Sequence, residues 1–147
     1  MSASIHLVLG LVNSRARLGL MPRILDHIDL RVPDIATARA FYDPLLAALG
    51  YGERQDVGSG WNSYNAPGDP SEFFGFVESP NHIANENRIA FRAESNTAVD
   101  AFIPLLRKIG AQNIEGPNDD EGPGYYYAVF FEDPFGNRLE ICHRTRN

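Results

Sequence analysis

Cysteine is almost missing from this chain of 147 residues, where Cys142 stands alone. A single thiol closes no intrachain disulfide and makes no cysteine-based zinc site, and it suits a reducing, cytoplasmic setting. Positive charge is scarce too. Against 19 Asp and Glu there are 13 Lys and Arg, a formal charge of −6 with a pI near 5.1. Non-specific binding to nucleic acid or to an anionic membrane needs clustered basic residues facing phosphates, so neither is expected as a partner and small molecules are favoured. Long apolar runs are absent as well. The stretch Ile5 to Val12 falls far short of the ~20 residues that a bilayer core requires, and no basic segment precedes it as a secretion signal would demand. Met21 immediately precedes the first strand, so residues 1 to 21 read as an N-terminal extension or an upstream start.

What remains, residues 22 to 147, reads as one domain with a real core, since 44% of the chain is apolar and 22% charged. Ile24 to Val32 alternates apolar and polar residues, the period of a strand buried on one face. Ile28, Leu30 and Val32 point one way; His27, Asp29 and Arg31 point the other. Pro33 stops the strand, Asp34 is placed to cap a helix, and apolar residues recur at helical spacing from Ile35 to Leu49, where Gly50 suits the C-terminal end. Shorter extended segments follow at Gly52 to Val57, Trp61 to Asn65 and Glu72 to Glu78, separated by turn residues.

The same order then repeats. Asn87 to Ser95 alternates and runs into a helix from Asn96 to Ile109, closed by Gly110. A shift of 61 positions places His27 on Arg88, Ile28 on Ile89, Phe41 on Phe102 and Leu45 on Leu106. Extended segments at Gln112 to Glu115, Tyr125 to Glu132 and Asn137 to His143 close the second copy, with Pro134 to Gly136 as a turn. Module one therefore spans 22 to 79, a linker 80 to 86, and module two 87 to 145, with Pro117 to Gly124 as a long acidic loop. One sheet face buries Ile28, Leu30, Val32, Ile89, Phe91, Leu139 and Ile141 against Phe41, Leu45, Phe102 and Leu106, at roughly 1.5 to 3 kcal/mol for each large side chain. The opposite face collects His27, Asp29, Arg31, Arg88, Arg92, Arg138, Glu140 and Cys142.

In its motifs the chain resembles the vicinal oxygen chelate superfamily, the glyoxalase, bleomycin-resistance and extradiol-dioxygenase group. The resemblance runs from about Leu25 to His143 and is carried by Asp26-His27-Ile28-Asp29-Leu30-Arg31-Val32-Pro33-Asp34, by Ala40-Phe41-Tyr42, and by Phe131 through Glu140. It implies an α+β fold of two tandem βαβββ modules, their curled mixed sheets enclosing a shared cleft, in a homodimer. It also implies a divalent metal in the cleft (Fe, Mn, Zn, Ni or Co) with open positions for two substrate oxygens. His27 and Glu140 match the first and last ligand positions of the family, while Arg88 stands in the place of its second histidine. A guanidinium only donates hydrogen bonds and cannot coordinate a cation. Phe74, Gly75 and Phe76 leave no carboxylate in mid-strand, with Glu72 and Glu78 at its ends.

Two functions follow from the resemblance. In one, His27 and Glu140 hold a metal or exchange protons in a lyase, isomerase or dioxygenase acting on a small oxygenated substrate. In the other, a metal-free protein binds or sequesters a small anion through Arg88, which is suited to bidentate recognition of a carboxylate or phosphate. Tyr126 and Phe130 line the cleft by parity with family members, and Trp61 forms a wall. His82 and His143 read as surface histidines, and Cys142 as packing.

Overall fold

The computed structural model describes residues 25 to 120 and 125 to 145. Each module runs strand, helix, then three strands. Module one comprises β1 (His27–Val32), α1 (Ile35–Ala48), β2 (Gln55–Gly58), β3 (Trp61–Ala66) and β4 (Asp69–Glu78). Module two comprises β5 (Arg88–Arg92), α2 (Asn96–Lys108), β6 (Gln112–Asp120), β7 (Tyr126–Glu132) and β8 (Arg138–Arg144). The two sheets have the same topology, β1-β4-β3-β2 and β5-β8-β7-β6, and neither closes on itself. In each, the first strand pairs in parallel with the last, because the intervening helix carries the chain back across the sheet.

Matching local chemistry ends the two helices. The Asp34 carboxylate accepts from the Thr37 amide at 2.7 Å, and the Ser95 hydroxyl from the Ala98 amide at 3.1 Å. At their C-terminal ends Gly50 and Gly110 take φ of +83° and +85°, left-handed conformations that glycine adopts without steric cost. The following amides, Tyr51 and Ala111, donate back to Leu46 and Leu106, each at 2.9 Å.

One apolar core spans both modules. Val32, Phe41, Tyr42, Leu45, Phe74 and Phe76 join Phe91, Val99, Leu106, Val129, Leu139 and Ile141 in a single cluster. At the seam the Phe74 and Phe91 rings lie 5.5 Å apart. Ile28, Leu30, Ile89 and Phe102, predicted for this core, pack against it but are only partly buried.

A polar clasp also joins the modules. The fully buried Asp133 carboxylate accepts from the Tyr42 hydroxyl of α1 at 2.8 Å, from the amides of Phe135 and Asn137 at 2.9 Å, and from Asn137 Nδ2 at 2.8 Å. Burial, with Asp133 alongside, pushes the Tyr42 hydroxyl well above the ordinary tyrosine range, so it remains a donor. Asn137 Nδ2 also reaches the Arg31 carbonyl at 3.3 Å, while its Oδ1 lies 3.0 Å from His82 Nε2. His82 and His143 are thus half-buried and bonded, not free surface groups; His143 Nδ1 lies 3.1 Å from the Ala93 carbonyl.

The acidic loop expected from Pro117 to Gly124 needs correction. Residues 117 to 120 belong to β6, where Asn118, Asp119 and Asp120 pair with Ala128, Tyr127 and Tyr126. Shifts of register on either side of Glu115 absorb the irregular sequence, and the ladder continues past it. Glu121 to Gly124 lie outside the described residues, as does the expected extension 1 to 21. Among the described residues no helix is long and apolar enough to cross a membrane.

Candidate functional site

Strand parity delivers two different cleft faces. On module one, β1 presents His27, Asp29 and Arg31, paired with Phe73, Gly75 and Val77 of β4, and Trp61 follows on β3. His27 Nδ1 lies 2.7 Å from Asp26 Oδ1 and its Nε2 lies 3.9 Å from Asp29 Oδ2. Its ring stacks on Phe73 with centroids 4.6 Å apart and planes 4° from parallel. Trp61 Nε1 donates to Asp29 Oδ1 at 3.0 Å, and the indole leans on the same Phe73 ring. Gly75 makes this contact possible, because a Cβ there would sit 2.7 Å from Asp29 Oδ1 and 3.0 Å from Trp61 Nε1. Phe73 and Asp26 were not picked out as site residues, although Phe73 shares the parity of Gly75.

On module two, Glu140 is only 6% exposed, opposite Ala90 on β5 and Phe130 on β7. Tyr126 Oη donates to Glu140 Oε1 in a short hydrogen bond. Burial first, then that bond to Glu140, raises the Tyr126 hydroxyl above its ordinary range, so it donates at any physiological pH. Cys142 lies two residues from Glu140 on the same face of β8, paired with Ala128 and Arg92. Its own burial and this carboxylate push the thiol up to about 11, so it is a neutral packed group and not a nucleophile.

Four arginines frame Glu140. Arg88 and Arg138 are paired neighbours on β5 and β8, and Arg92 pairs with Cys142. The Arg88 guanidinium lies 4.7 Å from the centre of the Phe130 ring, and that of Arg144 lies 4.2 Å from the Tyr126 ring. Among the described residues Arg88 forms no salt bridge to Glu140. Arg144 escaped the sequence reading because β8 was expected to end at His143, one residue early.

These donors do not fit a metal ion. Among the described residues no group of three His, Cys, Asp or Glu converges on one point. Arg88 has no lone pair to give, Glu140 accepts from the Tyr126 hydroxyl, and Asp26 holds one nitrogen of His27. On β4 the residues from Phe73 to Val77, paired with His27 to Arg31 of β1, include no carboxylate, and Glu72 lies one residue before them inside the strand. Glu78 at the end of that strand accepts from the Ile35 amide at 3.0 Å, at the start of α1. The metal expected from His27 and Glu140 therefore lacks a third ligand among the described residues.

Comparisons with known proteins agree with this architecture. The family model of the Glyoxalase/Bleomycin resistance protein/Dioxygenase superfamily matches residues 24 to 141. Protein YqjT of Bacillus subtilis (strain 168), itself uncharacterized, is 32% identical over 123 residues, covering 80% of this chain and 96% of its own. The crystal structure of a glyoxalase/bleomycin resistance protein from Albidiferax ferrireducens T118 is similar with a TM-score of 0.71 and 27% identity, over 83% of this chain and 100% of that one. A family enzyme from Burkholderia phytofirmans PsJN shares the fold, with a TM-score of 0.63 at 17% identity over 82% of this chain and 98% of that one. With its paired modules, its cleft and a family match across most of its length, the chain belongs to the glyoxalase/bleomycin resistance protein/dioxygenase superfamily.

Proposed function

We propose that this protein binds a small anionic molecule in its cleft without the help of a metal ion. The observation that carries this reading is the gathering of Arg88, Arg92, Arg138 and Arg144 on one sheet face of a protein whose net charge is −6. Among the described residues the arginines in ion pairs are Arg39 and Arg54, both on module one. Like charges brought together on one face repel one another, and an anion placed between them removes that cost while gaining charge-assisted hydrogen bonds. On module one Trp61, Phe73 and the His27 ring form an aromatic cluster, and on module two Tyr126 and Glu140 offer a fixed polar anchor.

The test is a thermal-shift screen of small carboxylates and phosphates on chelator-treated protein, repeated with manganese, iron, cobalt, nickel and zinc. Stabilisation by anions without metal is expected. Arg88→Ala should weaken binding by about ten- to a hundredfold, since hydrogen bonds to charged groups contribute about 1.5–3 kcal/mol. If Arg88→Ala left the binding of every anion unchanged, the reading would lose its basis. Binding or turnover that appeared only with an added divalent ion would favour the metal-dependent lyase or dioxygenase instead.

A further inference from the structure

We propose that the ligand is a zwitterion, an α-amino acid or similar small amino carboxylate, whose carboxylate meets Arg88 and Arg138 and whose ammonium group meets Glu115 and Glu132. This rests on the anion-binding reading above and adds the second charge. The four groups line one cavity of about 260 Å³ together with Asn113, Phe130 and Phe131.

The cavity is made by an irregularity in β6. Its register against β7 shifts between Gln112 and Glu115 and again between Glu115 and Asn118. Asn113 takes a φ of +49°, a left-handed conformation uncommon outside glycine, though asparagine tolerates it better than most. From that position its Nδ2 donates to Glu132 Oε2 at 2.8 Å and fixes that carboxylate.

Charge placement then argues for a ligand. Arg138 stands directly opposite Glu132 on the neighbouring strand, and Arg88 stands beside Arg138. If these groups served only the fold, the simplest arrangement would close the cross-strand Arg138 to Glu132 pair. Instead Glu132 turns to Asn113, Arg88 lies over Phe130, and among the described residues neither arginine forms an ion pair with Glu115 or Glu132. Two cations and two anions thus face one small space without neutralising each other. A simple anion would be attracted by one half and repelled by the other, whereas a molecule carrying both charges satisfies both. A volume of this size accommodates an amino acid.

Isothermal titration of the full chain against matched trios tests the idea: leucine with 4-methylpentanoate and isopentylamine, and phenylalanine with 3-phenylpropionate and phenethylamine. At least one amino acid is expected to bind tenfold or more tightly than both its deaminated and its decarboxylated partner. Glu115→Gln, an exposed position on β6, should erase the preference over the deaminated acid while leaving the acid's own affinity unchanged or improved. Arg88→Ala should weaken amino acid and acid alike. If carboxylates bind as tightly as their amino acids, the zwitterion proposal is overturned while anion binding stands. Binding by no carboxylate of any kind would overturn both.

Discussion

Replacing Asp133 by Asn tests the clasp that holds the two cleft faces in register. The carboxylate is fully buried and accepts four hydrogen bonds, two on each oxygen. An amide of the same shape keeps one accepting oxygen and turns two donor hydrogens toward two other donors, so at least two bonds are lost. At about 1.5–3 kcal/mol for each bond to a charged acceptor, the cost is about 3–6 kcal/mol. A domain is stable by about 5–15 kcal/mol in total, so this is a large fraction. Tyr42→Phe removes one of the four and leaves that oxygen bonded to Asn137, which predicts a smaller loss of about 1.5–3 kcal/mol. Urea unfolding measures both through the midpoint at unchanged slope. The two substitutions share a contact, so the double variant should be less destabilised than the sum of the single ones. An Asp133→Asn cost below 1 kcal/mol, or strict additivity with Tyr42→Phe, would refute the clasp.

Three further outcomes are expected. Gly75→Ala should push Asn62, Asp29 and Trp61 apart, since its Cβ meets Asp29 Oδ1 at 2.7 Å, and both a shifted Trp61 fluorescence maximum and a loss of about 1–3 kcal/mol should follow; unchanged emission counts against it. At pH 8 iodoacetamide should modify Cys142 about a hundredfold more slowly than an ordinary thiol of pKa 9, because a value of about 11 leaves a hundredth of the thiolate, and a rate equal to that of a free thiol refutes its burial beside Glu140. The Asp34 carboxyl is held below its ordinary 3.8 mainly by the hydrogen bond from Thr37, so the unfolded chain binds its proton first and this contribution to stability fades as pH falls below that value. Asp34→Asn, which retains a capping oxygen, should show a shallower acid limb in a pH series of thermal melts.

Much of the architecture was legible because it rests on local periodicity. The alternation of Ile28, Leu30 and Val32, the recurrence of Phe41 and Leu45 at helical spacing, and the repetition of both 61 positions later are properties of single segments. The caps at Asp34 and Gly50 were legible for the same reason. β6 was not, because two register shifts interrupt its alternation and Pro117 to Asp120 carry turn-forming residues that its pairing with β7 overrides. Glu78 and Asp133 were equally opaque, since their partners lie 43 and 91 residues away.

The site divides along the same line. Strand parity put His27, Arg88 and Glu140 on the face opposite the predicted core, the family resemblance put Tyr126 with them, and the chemistry of a guanidinium showed that Arg88 cannot act as the missing ligand. Only the tertiary structure decided what each contacts there: Asp26 and Phe73 engage His27, Tyr126 donates to Glu140, and Phe130 carries Arg88. A strand's period sets the direction of a side chain, whereas its partner depends on neighbouring strands, their register and the twist between them. That is why the irregular stretch of β6 places Glu115 and Asn113 beside two arginines, an arrangement that no pattern within either strand contains.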